Sequence, residues 1–307
     1  MNSKHSSSKV AVLLLAHGSP DYVDEIPEFL LRVTGGRPVP PQVIDEVKHR
    51  YGLIGRSPLT ELTVKQGKLL EQQLGVPVYV GMRNWKPFIA DTVRAMASDG
   101  ISNALVVCLA PQNSRTSVGL YRSSLGTDLP FKVDFVDSWH TEPLLIQAFA
   151  ERLHDGWEQA CSEAGTKLPV ILTAHSVPQR TISDGDPYEH QAKETASLVA
   201  REAALKPEHW MFAFQSQGMS GGAWLGPTVE ETILALKANG HRGVFIQPIG
   251  FLCDHVEVLY DIDIGFKQFA ENHGMRLWRA ESLNDSPLLI RALADVARSR
   301  LAKSAIA

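Results

Sequence analysis

"VAVLLLAHGSP" runs from residue 10 to 20, and "VILTAHSVP" from 170 to 178. Each is a continuous apolar run that stops at Ala-His, followed by one or two small residues and a proline. Continuous rather than alternating apolarity marks a strand buried on both faces, as in a parallel sheet. One stretch opens the chain and the other falls just past its midpoint. They therefore pose two questions: whether the chain holds two copies of one unit, and whether His17 and His175 do the same work.

Similar runs recur at 76–82, 103–110, 131–138, 209–216 and 243–252. Helical patterns lie between them. "LTELTVKQGKLLEQQLG" ends in a glycine suited to a helix C-terminus, and "PFIADTVRAMASDG" does the same with a proline near its start. "DPYEHQAKETASLVAREAAL" and "GPTVEETILALKANG" repeat the theme. Strands alternating with helices predict an α/β protein built on mostly parallel sheets. The order of elements after residue 10 returns after residue 168. The expected organisation is a disordered tail at 1–9, an N-terminal half at 10–140 and a C-terminal half at 141–307, with the final helix packing back on the first half. Ligands of open α/β sheets bind beyond the carboxyl ends of the strands. Both Ala-His pairs sit there, as do "PQNS" (111–114), "FQSQG" (214–218) and "GFLCDHVEVLYD" (250–261). A cleft between the halves is the natural site.

Composition narrows the field. The 307 residues are 44% hydrophobic and 21% charged, with a net charge of −4. That is an ordinary enzyme balance, and it argues against a nucleic-acid surface, which needs a clustered basic footprint. Cys108, Cys161 and Cys253 are too few and too scattered for a disulfide framework, a zinc site or an iron–sulfur cluster. A reducing cytoplasm is expected. No stretch reaches the ~18 apolar residues of a membrane span. The polar "MNSKHSSSK" start has no apolar signal core behind it.

The richest segment is "GFLCDHVEVLYDID" (250–263). If a helix starts near Asp254, Glu257 and Asp261 are four apart and share a face. With no lysine or arginine between them they form a track for a divalent cation. The bland alternative is an amphipathic helix with Asp254 as N-cap and Glu257 completing a capping box. His175 could move protons or bind metal, since an imidazole titrates near 6.5; it could equally be a histidine tied to neighbouring backbone, and the same applies to His17. "AHG" lacks the arginine of a phosphohistidine "RHG" signature, and "GGAWLGPTVEET" lacks the Gly-Lys-Ser/Thr of a phosphate loop. Trp224 there either walls a flat apolar pocket or packs under its own loop. "HRYGLIGRSPL" (49–59) offers Arg50, Tyr51, Arg56 and Ser57, groups that could receive carboxylates or face solvent.

Taken in order, "IGRSPLTELTVKQGKLLEQQL", "YVGMRNWKPFIADTVRAM", "LAPQNS", "TAHSVP", "GDPYEHQ", "FQSQG", "WLGP" and "PIGFLCDHVEVLYDID" resemble ferrochelatase, the enzyme that inserts ferrous iron into a porphyrin. The resemblance runs from about residue 10 to about 300 and is nearest to the compact bacterial form, which resembles the coproporphyrin-using enzymes. It implies two similar Rossmann-like halves, each a parallel sheet flanked by helices, around a porphyrin cleft. It implies that His175 and Glu257 face each other across the porphyrin centre, with Asp261 continuing a metal path. Asp254, His255 and Tyr260 match their supporting neighbours. His17, Arg50, Tyr51, Ser57, Tyr121 and Trp224 fall on porphyrin-contact positions. The implied substrates are Fe(II) and coproporphyrin III or protoporphyrin IX. No resident cofactor, iron–sulfur cluster or nucleic acid is implied. A cytoplasmic monomer with no integral membrane segment, in transient contact with other haem-pathway enzymes, is expected.

The sequence departs from the family pattern at three places. His17 stands where compact members usually carry tyrosine, Asn113 where an aromatic is common, and Gly265 where some relatives carry a third acid. Two other readings stay open: a non-catalytic tetrapyrrole or haem carrier on the same fold, and a cobalt or nickel chelatase of a sirohydrochlorin-type ring using a histidine from each half. The Glu257 motif speaks against the second.

Overall fold

The computed structural model describes residues 9–217 and 222–304, with the side chains of 303 and 304 left aside. The tail expected at 1–9 therefore lies almost wholly outside the described residues, as does Gly218 of "FQSQG".

The first half runs β1 (Val10–Ala16), α1 (Ile26–Val33), α2 (Pro41–Ile54), α3 (Leu59–Leu74), β2 (Val78–Met82), α4 (Ile89–Ser98), β3 (Asn103–Cys108), α5 (Val118–Leu125) and β4 (Lys132–Val136). After α6 (Pro143–Ala164) the second half runs β5 (Val170–His175), α7 (Gln179–Ser183), α8 (Tyr188–Glu202), β6 (Trp210–Gln215), α9 (Val229–Ala238) and β7 (Gly243–Pro248). It ends with α10 (Val256–Leu259), a π-helical stretch at Asp261–Phe266, α11 (Lys267–Asn272), β8 (Arg276–Arg279) and α12 (Pro287–Ser304).

The two sheets repeat one topology. Their orders are β2-β1-β3-β4 and β6-β5-β7-β8, parallel throughout. β1 and β5 are thus the equivalent strands at which the chain order reverses, the switch point where such sheets bind ligands. β1 is buried along nearly its whole length and β5 likewise, as their unbroken apolar runs require. The eighth strand, "RLWR", has no counterpart among the expected strands. It is a four-residue edge strand whose arginines interrupt the apolar signal.

The halves share one core. Val12, Leu14, Leu105 and Val107 of the first sheet belong to the same buried cluster as Val170, Leu172 and Phe245 of the second. α6 and α12 bridge them, and α12 packs along both α3 and α6. Each sheet buries its other face in a cluster of its own.

Two glycines shape the cleft end of the sheets. Gly18 follows His17 at φ +82°, and a Cβ there would stand 2.9 Å from the Trp85 backbone nitrogen. Gly250 lies against Ala174, where a Cβ would approach within 3.1 Å. Both let backbone pass where a side chain would not fit.

Candidate functional site

The carboxyl ends of β1 and β5 open into a cleft of about 670 Å³. Leu30, Val33, Val47, Leu59, Leu109 and Val177 supply apolar wall. His17, Arg50, Tyr51, Tyr121, His175, Trp224, His255, Glu257 and Asp261 all line this one space. Residues from both halves of the chain thus meet at the switch points of both sheets.

The chemical centre is at the second sheet. His175 Nε2 stands 3.5 Å from Glu257 Oε2, and His255 Nε2 stands 4.0 Å from the same oxygen. The other nitrogen of each histidine faces backbone. His175 Nδ1 meets the Ser176 carbonyl, His17 Nδ1 meets Gly18 O at 2.9 Å, and His255 Nδ1 meets Cys253 O at 3.0 Å. A carbonyl only accepts, so each Nδ1 carries the hydrogen, and in the neutral ring each Nε2 keeps its lone pair. His175 and His255 both turn Nε2 toward Glu257. One ring nitrogen of each is thus tied to backbone, and the other is left to face the cleft.

Aromatic packing holds the rings. Phe251 stands edge-on to His175 at 6.3 Å and to His255 at 4.4 Å. Phe29 plays the same part for His17 at 5.9 Å. Tyr188, at the start of α8, donates its hydroxyl to the His175 carbonyl at 2.8 Å. Neither Phe251 nor Tyr188 was singled out by sequence; both hold catalytic-looking groups by contacts between distant segments.

The two carboxylates are driven apart. Burial alone would raise Glu257, but His175, His255, His17 and Arg50 together outweigh it and hold the carboxyl below its ordinary value. Asp261 goes the other way: burial raises it, the Glu257 charge adds to that, and the Ser216 hydroxyl and Arg50 only partly compensate. Ser216 Oγ donates to Asp261 at 2.5 Å, and Arg50 reaches it at 3.4 Å while pairing with Glu46 at 2.8 Å. Ser216 holds this contact from a left-handed backbone, φ 60°. Such strain in a non-glycine residue collects at functional sites. His17 is pulled below its ordinary value mainly by burial. Burial also pushes Tyr51 up to about 12, its hydroxyl being 2.9 Å from Ser19 Oγ.

Three expected site residues lie off the cleft wall. Ser57 is 2% exposed and its hydroxyl has no partner. Tyr260 lies under the Arg50 guanidinium, 4.8 Å from its ring centre. Asp254 accepts from Ser282 at 2.7 Å and Asn284 at 2.9 Å and sits 3.3 Å from Arg279. This also removes the capping box suggested by local sequence. The helix begins at Val256 with His255 at its N-cap, because the Asp254 carboxylate is already taken by β8 and the loop after it. Of the two arginines in "HRYGLIGRSPL", Arg50 lines the cleft and Arg56 pairs with Asp21; among their neighbours, Arg32 pairs with Glu28 and Arg37 bonds the Thr34 carbonyl. Gln112 and Ser114 of "PQNS" line the cleft.

Two parallel sheets of one topology, facing across a cleft floored by histidines and carboxylates, define a two-domain chelatase fold. The structure of SirB from Bacillus subtilis with Fe3+ shares it, with a TM-score of 0.59 at 15% identity over 96% of this chain and 97% of that one. Residues 9–301 match the ferrochelatase family, and the chain belongs to that family. It is 55% identical to the ferrochelatase of Acidobacterium capsulatum over 95% of each chain. It is 34% identical to the coproporphyrin III ferrochelatase of a Geobacillus species, over 96% of this chain and 99% of that one.

Proposed function

We propose that this chain inserts Fe(II) into a porphyrin in haem biosynthesis, with His175 and Glu257 as its catalytic pair. The observation that carries the reading is the 3.5 Å approach of His175 Nε2 to Glu257 Oε2 on the floor of an apolar cleft. A free-base porphyrin must lose two N–H protons as the metal enters. The Nε2 lone pair of His175 takes the first, and the adjacent Glu257 carboxylate stabilises the imidazolium that forms. The depressed Glu257 carboxyl stays ionised to meet the incoming cation, and Asp261, raised above its ordinary value by burial, offers the exit for the second proton. Among the described residues no three His, Cys, Asp or Glu side chains converge tightly enough to hold a metal ion by themselves.

Coproporphyrin III is the proposed porphyrin. Its four propionates need polar groups on more than one side. The cleft supplies Arg50 and the Tyr51–Ser19 pair from one segment and Ser114, Thr116 and Ser117 from another. The kinship with coproporphyrin III ferrochelatases supports the same choice. The three cysteines are free, which suits work in the cytoplasm.

The test is anaerobic metal insertion by the purified chain, with each porphyrin in parallel, for wild type, His175→Ala and Glu257→Gln. Loss in both variants with the fold intact and coproporphyrin turned over faster is the expected result. Wild-type rates in both variants would sink the catalytic pair, and faster turnover of protoporphyrin would overturn the substrate choice.

A further inference from the structure

β8 ends on Arg279, whose side chain is 13% exposed. A guanidinium so far from water must direct its N–H groups at fixed acceptors. Nε donates to Asp263 Oδ1 at 2.6 Å and one Nη to Asp263 Oδ2 at 2.8 Å, the two-pronged pairing that a planar guanidinium makes with a carboxylate. The other Nη donates to the Ala280 carbonyl at 2.8 Å and stands 3.3 Å from Asp254 Oδ1. One side chain thus reaches two carboxylates.

Those two carboxylates mark the ends of the segment that serves the cleft. Between Asp254 and Asp263 lie His255, Glu257 and Asp261, all of them lining it, whereas Asp254, Asp263 and Arg279 lie outside its wall. The acids of "DHVEVLYDID" therefore divide. Glu257 and Asp261 are presented to the cleft, and Asp254 and Asp263 are turned to Arg279.

The segment has little of its own to hold that division. α10 is a single turn, and His255 at its N-cap makes no side-chain capping bond. The π stretch after it closes on one carbonyl, Tyr260 O, which accepts from Ile264 and Gly265. Helices this short are marginal by themselves. Val258, Ile262 and Phe266 pack into the core of the second sheet, which fixes the side that faces inward but not the ends. At one end Asp254 accepts from Ser282 and Asn284, and its backbone N–H donates to Asn284 Oδ1 at 2.9 Å. At the other end the Asp263 carboxylate is held by Arg279.

We propose that Arg279 is a staple across the two ends of this segment, and that by holding Asp254 and Asp263 it sets where Glu257 and Asp261 stand in the cleft. Arg279 is a positioning residue, since it lies outside the cleft and acts through the carboxylates it holds. Lysine replaces it only in part, because an ammonium carries the charge without the planar fork. The inference rests on Glu257 and Asp261 working in the proposed reaction.

Arg279→Gln and Arg279→Lys test it in the full chain. Rates are taken per porphyrin-binding site, titrated by fluorescence, so that a smaller folded fraction does not pass for a lower kcat. Arg279→Gln should lower kcat for anaerobic iron or zinc insertion by about tenfold, as a displaced reacting group would, with KM for the porphyrin unchanged. Arg279→Lys should recover part of that loss. Independently of turnover, amide hydrogen exchange at Leu259, Tyr260, Ile264 and Gly265 should quicken by about tenfold in Arg279→Gln, while β5 and β7 keep their wild-type rates. If Arg279→Gln does not fold, Asp263→Asn takes its place: it breaks the forked pairing from the more exposed partner and should show the same exchange with a loss of about fivefold in kcat. Wild-type exchange in the segment, or wild-type kcat, in whichever variant folds would overturn the staple. So would a raised KM with kcat unchanged, which would make the arginine a support of the porphyrin wall. If the wild-type chain inserts no metal, the proposed reaction falls, and the exchange rates still decide whether Arg279 holds the segment.

Discussion

The ends of β1 and β5 are the same place in two copies of one sheet, yet they are built differently. Each presents a histidine whose Nδ1 is tied to the next residue's carbonyl and whose ring is held by an edge-on phenylalanine. At β1 the next residue is Gly18, in a left-handed conformation under Trp85. At β5 it is Ser176, whose backbone N–H bonds Gln215 O at 2.7 Å and whose hydroxyl bonds Leu225 O at 2.9 Å. The second copy also has Tyr188 on the carbonyl and Glu257 opposite the ring. Two sheets of one topology supply two histidines at equivalent places, and what surrounds them differs. His17 is pulled below its ordinary value mainly by burial, whereas His175 stands 3.5 Å from the Glu257 carboxylate.

The largest effect that would break this contrast is at His175. His175→Ala should lower insertion by about 10³-fold, within the range of a lost general base, with circular dichroism unchanged; steady-state anaerobic rates measure it. Gly18→Ala should destabilise the fold by about 2–3 kcal/mol through the left-handed φ and the Trp85 contact, as denaturant titration would read. Ser176→Gly, at the matching place, should cost less. His17→Tyr should leave insertion within about threefold of wild type, since the His175–Glu257 contact is made without it. If it abolishes insertion in a folded protein, the two copies are equivalent after all, and a two-histidine chelatase becomes the better reading.

The smallest effect sharpens the picture of the acids. The folded Asp261 carboxyl sits above its unfolded value, so its ionised form opposes folding at neutral pH. Asp261→Asn should raise the melting temperature by about 1–2 °C at pH 7, with the gain vanishing as pH falls through the carboxylate range. Glu257 has the opposite sign: its contribution is present above the unfolded carboxyl value and is lost as pH falls through the lower folded one. Glu257→Gln should therefore gain nothing at pH 7.

The legible part of the fold was the part written in unbroken apolar runs. β1, β3, β5 and β7 lie at the centres of their sheets and declare themselves; β8, short and flanked by arginines, does not. His175, Glu257 and Asp261 could be found because a strand end and a helical spacing placed them. Asp254 was misread because capping logic is local, while its partners lie some 30 residues on, at Ser282 and Asn284. The π turn was invisible because nothing in "DIDIGF" forbids a regular helix. There the Tyr260 carbonyl accepts from both Ile264 at 3.1 Å and Gly265 at 2.8 Å. Tyr188 joins its helix to the His175 carbonyl across segments that no periodicity connects.

The buried cluster that runs from the first sheet into the second through α6 and α12 has a consequence for how the molecule comes apart. Two separate domains would melt in two steps and survive being cut between them. Here the link is shared interior, so neither sheet keeps its packed face when the other opens. Heating should give one calorimetric peak whose van't Hoff and total enthalpies agree, and the isolated N-terminal half should expose enough apolar surface to aggregate. A fold that looks like two tandem units shares one interior, and the cleft opens from that shared core.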